Sequence, residues 1–347
     1  MRKISVGLLV GFVTLVACTK QLEQVKDVFP GFGVPSNFGT PVYPVNGPNK
    51  VTEAGFILGR TLFYEGKLSR DNTISCGSCH IQSAAFTHHG HDLSHGIDDL
   101  LGRRNAPSIA NAAWYQHFFW DGGVFNLDLL SLAPIQNPVE MDETMPNIVR
   151  KLRTTPKYPS MFSSAFGDTS ITGTRVLQAL SQFMLMCISS NSKYDSVMRK
   201  EPGVQFTPQE QAGYQIYKNK CSTCHTEPLL TNNQFANNGL PLGINPDEGR
   251  YEVTLNAADK YKFKVPTLRN LQYTAPYMHD GRLLTLHAVL NHYQTGMVNT
   301  GTVHPQFFSN GQLVGIPLTP TEREQLLAFL NTLNDKVLVT NKLLAEQ

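Results

Sequence analysis

Two pentapeptides, Cys76-Gly77-Ser78-Cys79-His80 and Cys221-Ser222-Thr223-Cys224-His225, constrain this chain more than any other feature it carries. In such a unit, two intervening residues let both thiols reach the vinyl groups of one porphyrin. The histidine that follows then lands beneath the iron as an axial ligand. Two units predict two covalently attached haems c, held by Cys76, Cys79 and His80 and by Cys221, Cys224 and His225. Competing readings of paired cysteines fit less well. Zinc ribbons space their pairs about 15–20 residues apart, whereas residues 80–220 lie between Cys79 and Cys221. A thioredoxin-like redox pair calls for a βαβ setting, which the pattern lacks.

The other two cysteines are explained separately. Arg2 and Lys3 precede an apolar stretch that stops near Ala17, an export signal too short for a membrane span. "LVAC", Leu15 to Cys18, resembles a bacterial lipobox, so Cys18 is expected to carry a lipid anchor or to lie near an ordinary cleavage site. The mature protein is then exported, periplasmic or anchored as a lipoprotein. Cys187 falls on the stripe Val176, Leu180, Phe183, Met184, Cys187 and reads as an inert core thiol on a buried helix face. With 41% hydrophobic and 16% charged residues the chain is globular. A net charge of +2 without a long basic run argues against a nucleic-acid partner.

Residues 18–50 form an extended segment too rich in Pro and Gly for helix or strand. From Thr52 the pattern turns helical, with Ala54, Ile57, Leu58 and Leu62 on one face, and this helix is expected to end shortly before "CGSCH". The second half repeats the plan. Thr207 and Glu210 form a capping box with Pro208 at the first helical position, leading straight into the second pentapeptide. Thr319, Pro320 and Glu322 use the same device ahead of Leu326, Leu330 and Leu333. Alternating runs are scarce, so a mostly α protein is predicted, with two tandem cytochrome c-like domains, 51–200 and 201–347, divided near "RKEPGVQF" at 199–206.

Each iron has a second axial face. For the second haem, "APYMHDGRLLTLHAVLNHYQTG", residues 275–296, supplies Met278, His279, His287, His292 and Tyr293. Leu286, Val289, Leu290 and Tyr293 share one helical stripe, while His292 is rotated from it by about 100°. Tyr293 is therefore better aimed than His292, and Met278 in the preceding loop remains the runner-up because thioether ligands are common in c-type haems. Tyr293 can also be read as a core tyrosine.

"LFYEGKLSRDNTISCGSCH", "GRRNAPSIANAAW", "FFWDGG", "NPVEM", "KVPTLRNLQYTAPYMHDG" and "CSTCH" together resemble the bacterial dihaem cytochrome c peroxidase family, which includes MauG. The likeness runs from about residue 51 to 335 with the motifs in the family's order. It implies that the first haem is the peroxide site and the second receives or stores electrons. His80 would be the proximal ligand of the peroxide haem. Glu140 would be its distal acid/base, suited to moving a proton between the peroxide oxygens, with Pro134 lining the same pocket. Trp120 would relay charge between the haems. Asn105, with the carbonyls of Thr274 and Pro276, would hold a calcium ion, which prefers oxygen donors.

Tyr293 matches the position that is Met in typical members and Tyr in MauG. The resemblance thus favours Tyr293 over Met278, and a phenolate there would lower the potential. His279 would lie near the haem edge. Two departures stand out. Leu130 occupies a position where many relatives carry a distal Gln. The loop "THHGHDLSHG" offers His88, His89, His91 and His95, of which His95 is nearest in pattern to a removable sixth ligand of the first haem. The resemblance implies a hydrogen peroxide-reducing oxidoreductase whose partner is a small redox protein, a cytochrome c or cupredoxin, or a polypeptide oxidised as by MauG. A dihaem electron carrier is the non-enzymatic alternative.

Overall fold

A computed structural model describes residues 29–347. The leader, the lipobox and Cys18 lie outside the described residues. Residues 29–52 run without helix or strand, as their proline and glycine content requires. Helices carry most of the remaining order. In the first half these are α1 (Glu53–Phe63), α2 (Cys76–Cys79), α3 (Leu127–Leu130), α4 (Leu132–Gln136), α5 (Met145–Arg153), α6 (Lys157–Phe166), α7 (Gly173–Met186) and α8 (Lys193–Met198). After them come α9 (Pro208–Lys220), α10 (Tyr251–Thr254), α11 (Leu286–Asn291), α12 (Pro320–Asn331) and α13 (Lys336–Thr340). Among the described residues, strands are confined to two short antiparallel pairs: β1 (Phe235–Ala236) with β2 (Phe263–Lys264), and β3 (Phe308–Ser309) with β4 (Gln312–Leu313).

The helix starts follow their capping chemistry. Glu210 N donates to Thr207 Oγ1 at 3.3 Å while Thr207 N donates to Glu210 Oε2 at 2.7 Å, and Thr319 with Glu322 repeats the box at 3.2 and 2.8 Å. α9 then runs directly to Cys221. α1 behaves differently: it stops at Phe63, with residues 64–75 intervening before the first pentapeptide. Tyr64 already leaves helical geometry at φ −99°, ψ 8°, and Glu65 Oε1 accepts from Lys67 N at 3.1 Å to open a separate 3₁₀ turn, Gly66–Leu68.

α1 packs on α7, and α9 on α12, through a glycine at each contact. A Cβ on Gly59 would lie 1.9 Å from Ala179 O, and one on Gly213 would lie 1.9 Å from Gln325 O. Phe183 and Phe329 close over the two contacts. The buried face of α1 is therefore Gly55, Phe56, Leu58, Gly59, Leu62 and Phe63. Ile57, expected on that face, is 38% exposed, because the face turns toward the glycines that let α7 come close.

One hydrophobic cluster joins α1, α5, α6 and α7 through Phe56, Leu62, Leu152, Phe162 and Phe183. Cys187 lies in it, fully buried, its thiol raised well above the usual range by burial. A second cluster surrounds Trp114, with Phe38 edge-on at 5.1 Å. A third joins α9 and α12 through Tyr217, Leu326, Phe329 and Leu333. The chain's last residues return to the first cluster: Leu338 and Leu344 are part of it. There Arg60 Nη1 and Tyr64 Oη donate to Leu343 O and Leu344 O, each at 2.8 Å. A buried bidentate pair, Arg269 to Asp195 at 2.8 Å on both arms, ties α8 to the segment after β2. No helix among the described residues is long and apolar enough to cross a membrane.

Gly59→Ala and Gly213→Ala are each expected to destabilise the protein by about 1–3 kcal/mol through overpacking, read as a lower denaturant midpoint. Gly33→Ala, at a position with nothing within 4 Å, should leave the midpoint within about 1 kcal/mol of wild type.

Candidate functional site

The first pentapeptide is the single helical turn α2, its entry fixed by Ser75 N donating to Ser78 Oγ at 3.1 Å. Cys76 and Cys79 are free thiols, as are Cys221 and Cys224. The imidazoles are oriented alike in both units. His80 Nδ1 is 2.9 Å from Phe86 O, and His225 Nδ1 is 3.2 Å from Leu230 O and 3.1 Å from Pro266 O. A carbonyl only accepts, so Nδ1 carries the proton in each ring and Nε2 keeps its lone pair. Neither Nε2 has a hydrogen-bond partner among the described residues. Burial holds both rings neutral, lowering His80 and taking His225 to about 4. Two free thiols and one neutral, pre-oriented imidazole nitrogen are the donor set a tethered haem requires, and both units fit it.

Around His225 the chain forms a cavity of about 250 Å³ lined by Cys221, Cys224, Leu286, Val289, Leu290, Phe307 and Leu326, among others. Tyr293 and Met278 both line it. α11 continues as one π-helical turn, His292–Gly296, that carries Tyr293, a distortion often found at functional sites. Asn238 Nδ2 lies 3.5 Å from Tyr293 Oη and 3.3 Å from Met278 Sδ, so one amide touches both candidate ligands. Burial pushes the Tyr293 phenol up to about 12. His292 points elsewhere, Nε2 meeting Asn238 O at 3.0 Å, and His287 is exposed. His279 stacks on Phe263 with centroids 3.7 Å apart.

Trp120 lines the same cavity, where Thr87, Asn105, Pro107 and Ser108 of the first half close it. Its Nε1 donates to Asn105 O at 2.9 Å. Asn105 Nδ2 donates to His91 O and Asp92 O at 3.0 and 3.1 Å. This leaves Asn105 Oδ1 without a hydrogen-bond partner among the described residues. Thr274 and Pro276 line the cavity too.

Glu140 stands with the first pentapeptide. Its charge acts on Cys79 and Cys76, and Asn137 Nδ2 donates to Oε1 at 2.7 Å. Burial raises its pKa above the ordinary carboxylate range, against the Asn137 bond that lowers it. Pro134 O accepts from Met141 N at 3.3 Å, folding residues 134–141 back on α4. Leu130 is buried in the second cluster. His88, His91 and His95 pack ring on ring. Both nitrogens of His95 are engaged, Nδ1 with Asp99 Oδ1 at 2.9 Å and Nε2 with His91 Nδ1 at 3.2 Å.

The two surroundings differ in one respect. Glu140 accompanies the first pentapeptide, whereas no Asp or Glu is among the residues lining the second cavity. Asn137 and Asn238, which hold the candidate groups, were not legible as site residues in the sequence, because a loop asparagine gives no periodic signal. Lys264 and Arg269 sat in view within "KVPTLRN", but only the fold shows which cavity they line.

A family model described as di-haem cytochrome c peroxidase matches residues 53–203. MauG of Methylorubrum extorquens is 32% identical over 289 residues, covering 82% of this chain and 79% of that protein. Cytochrome c551 peroxidase of Nitrosomonas europaea is 33% identical over 250 residues, 71% of this chain and 74% of that one. The crystal structure of a MauG-like protein associated with microbial copper homeostasis superposes with a TM-score of 0.81 at 32% identity, covering 91% of this chain and 98% of the other. With both pentapeptides intact and matches of this extent, the chain belongs to the dihaem cytochrome c peroxidase and MauG family.

Proposed function

We propose that this chain is a dihaem c-type peroxidase that reduces hydrogen peroxide at its first haem with electrons relayed through the second. The observation that carries this reading is the asymmetry just described: Glu140 stands beside the first pentapeptide with Asn137 as its side-chain partner, whereas no Asp or Glu lines the cavity around His225. Cys76, Cys79 and His80 would hold the first haem and Cys221, Cys224 and His225 the second, one in each of two cytochrome c-like units, 51–200 and 201–347. When bound, haem iron supplies a coordination position for peroxide and the redox equivalents for breaking its O–O bond.

Glu140, kept basic by burial, takes the proton from the inner peroxide oxygen and returns it to the outer one, which departs as water. Asn137 holds the carboxylate for that transfer, and Pro134 lines the same pocket. Trp120, fixed through its indole N–H to Asn105 O, offers an oxidisable ring on the path between the halves. Tyr293 is assigned to the second iron ahead of Met278. A phenol this buried stays neutral unless a metal ion takes the place of its proton. Asn105 Oδ1, with the carbonyls of Thr274 and Pro276, would give calcium oxygen donors of the kind it prefers. The leader and Cys18 place the work outside the cytoplasm. The electron source is a small redox protein, a cytochrome c or cupredoxin. A tyrosine at 293 also favours a second reading, oxidation of a protein substrate in the manner of MauG.

An electron paramagnetic resonance spectrum of the oxidised protein, paired with peroxide mixing of the reduced protein followed at the Soret band, tests the assignment. A peroxidase shows one high-spin iron, or one that becomes so on reduction, and rapid reoxidation. Two six-coordinate, peroxide-inert irons would make the protein an electron carrier instead. Glu140→Gln is expected to lower peroxide turnover by about 10²–10⁴-fold with both haem spectra retained. Because the ionised form is required and its pKa is raised, the acid limb of the wild-type pH–rate profile should lie above about 4.3, the ordinary value for Glu, and vanish in the variant. Tyr293→Met should raise the midpoint potential of the second haem alone; an unchanged potential removes Tyr293 from the iron.

A further inference from the structure

Three polar groups that these roles leave unused line the second cavity. Lys264, in β2, donates its backbone N–H to Trp120 O at 2.7 Å, and its ammonium lies 4.3 Å from the centroid of the Tyr115 ring. Among the described residues Lys264 pairs with no carboxylate, and withdrawal from bulk water pushes it down to about 8. The other two cations of the lining are neutralised by protein: Lys220 meets Glu322 Oε1 at 2.8 Å, and Arg269 is held by Asp195. Arg269 nevertheless keeps one N–H in reserve, since its Nε is buried without a hydrogen-bond partner. Tyr115, 8% exposed, feels the charge of Arg269. Its hydroxyl also has no partner among the described residues.

An ammonium drawn into a cavity without a counter-ion is unfavourable, and an aromatic face offsets only part of that, about 0.5–2 kcal/mol. The rest of the cavity lining is mainly apolar, with residues such as Leu286, Val289 and Leu290. A ligand matched to it is apolar over most of its surface and carries carboxylates at one edge. Haem has that form, with two propionates on one side of the macrocycle.

We propose that Lys264 Nζ, Tyr115 Oη and Arg269 Nε form the carboxylate-binding edge of the second haem site, receiving the propionate side of the porphyrin tethered to Cys221 and Cys224. This rests on the reading that the second pentapeptide carries a haem. Lys264 is the member with charge to give, so it offsets the propionate charge and favours the reduced iron.

The test is a spectroelectrochemical titration of the fully matured protein with Lys264→Met, Lys264→Arg and Tyr115→Phe variants, after a pyridine haemochrome count on wild type. In Lys264→Met the second haem should become harder to reduce by on the order of tenfold in the reduction equilibrium, about 59 mV for one electron. The first haem should stay at its wild-type potential, and Lys264→Arg should restore the second. An unchanged second potential in Lys264→Met overturns the proposal. Where Lys264→Met does not retain its second haem, Tyr115→Phe decides, a lowered second potential supporting the site and a wild-type value overturning it. One haem per wild-type chain overturns the underlying dihaem reading instead.

Discussion

Helix axes approach only as closely as the smallest residue between them allows, and here that limit is set twice by glycine. Gly59 against Ala179 O and Gly213 against Gln325 O bring α1 onto α7 and α9 onto α12. Each contact lets large aromatic side chains, Phe183 in one half and Phe329 in the other, seal the seam. The second pair bears directly on the chemistry, because α9 ends at Lys220 and hands Cys221 to the cavity without an intervening loop. The first half reaches its cysteines through a longer path, with residues 64–75 between α1 and α2.

On that scaffold, backbone carbonyls decide what the histidines can do. Phe86 O in one half, and Leu230 O with Pro266 O in the other, fix the tautomer of His80 and His225. The two sites are thus alike at the histidine and differ in the side chains that accompany it. A carboxylate held by Asn137 accompanies one. A phenol and a thioether sharing the Asn238 amide accompany the other. What distinguishes the two sites is therefore their neighbouring side chains rather than the attachment motif.

How much of this could be read from the residues alone varied with the kind of signal. Covalent spacing and capping boxes are local, so the pentapeptides, α9 and α12 were legible to the residue. The Tyr293 stripe was legible because helical periodicity survives even where the helix loosens into a π turn. Periodicity puts Ile57 on the contact face of α1, whereas the glycines that set that face leave it exposed, because hydrophobicity does not count them. The pattern also carries α1 too far, because it does not record that Tyr64 leaves the helix and that the Glu65 side chain opens a new turn at Gly66–Leu68. Asn137, Asn238 and Lys264 come from loops and a two-residue strand. Their meaning is set by long-range folding, which no local pattern records.

The return of the C-terminal residues has a consequence for the first half. Leu338 and Leu344 are structural members of the core built by α1 and α7. Gln82 Nε2, two residues past the first pentapeptide, donates to Leu338 O and Asn341 O at 3.0 and 2.7 Å. The core around the first pentapeptide therefore stays incomplete without residues 338–344 in place. Residues near the far end of the sequence thus help fix the surroundings of Cys76, which packs against the same cluster.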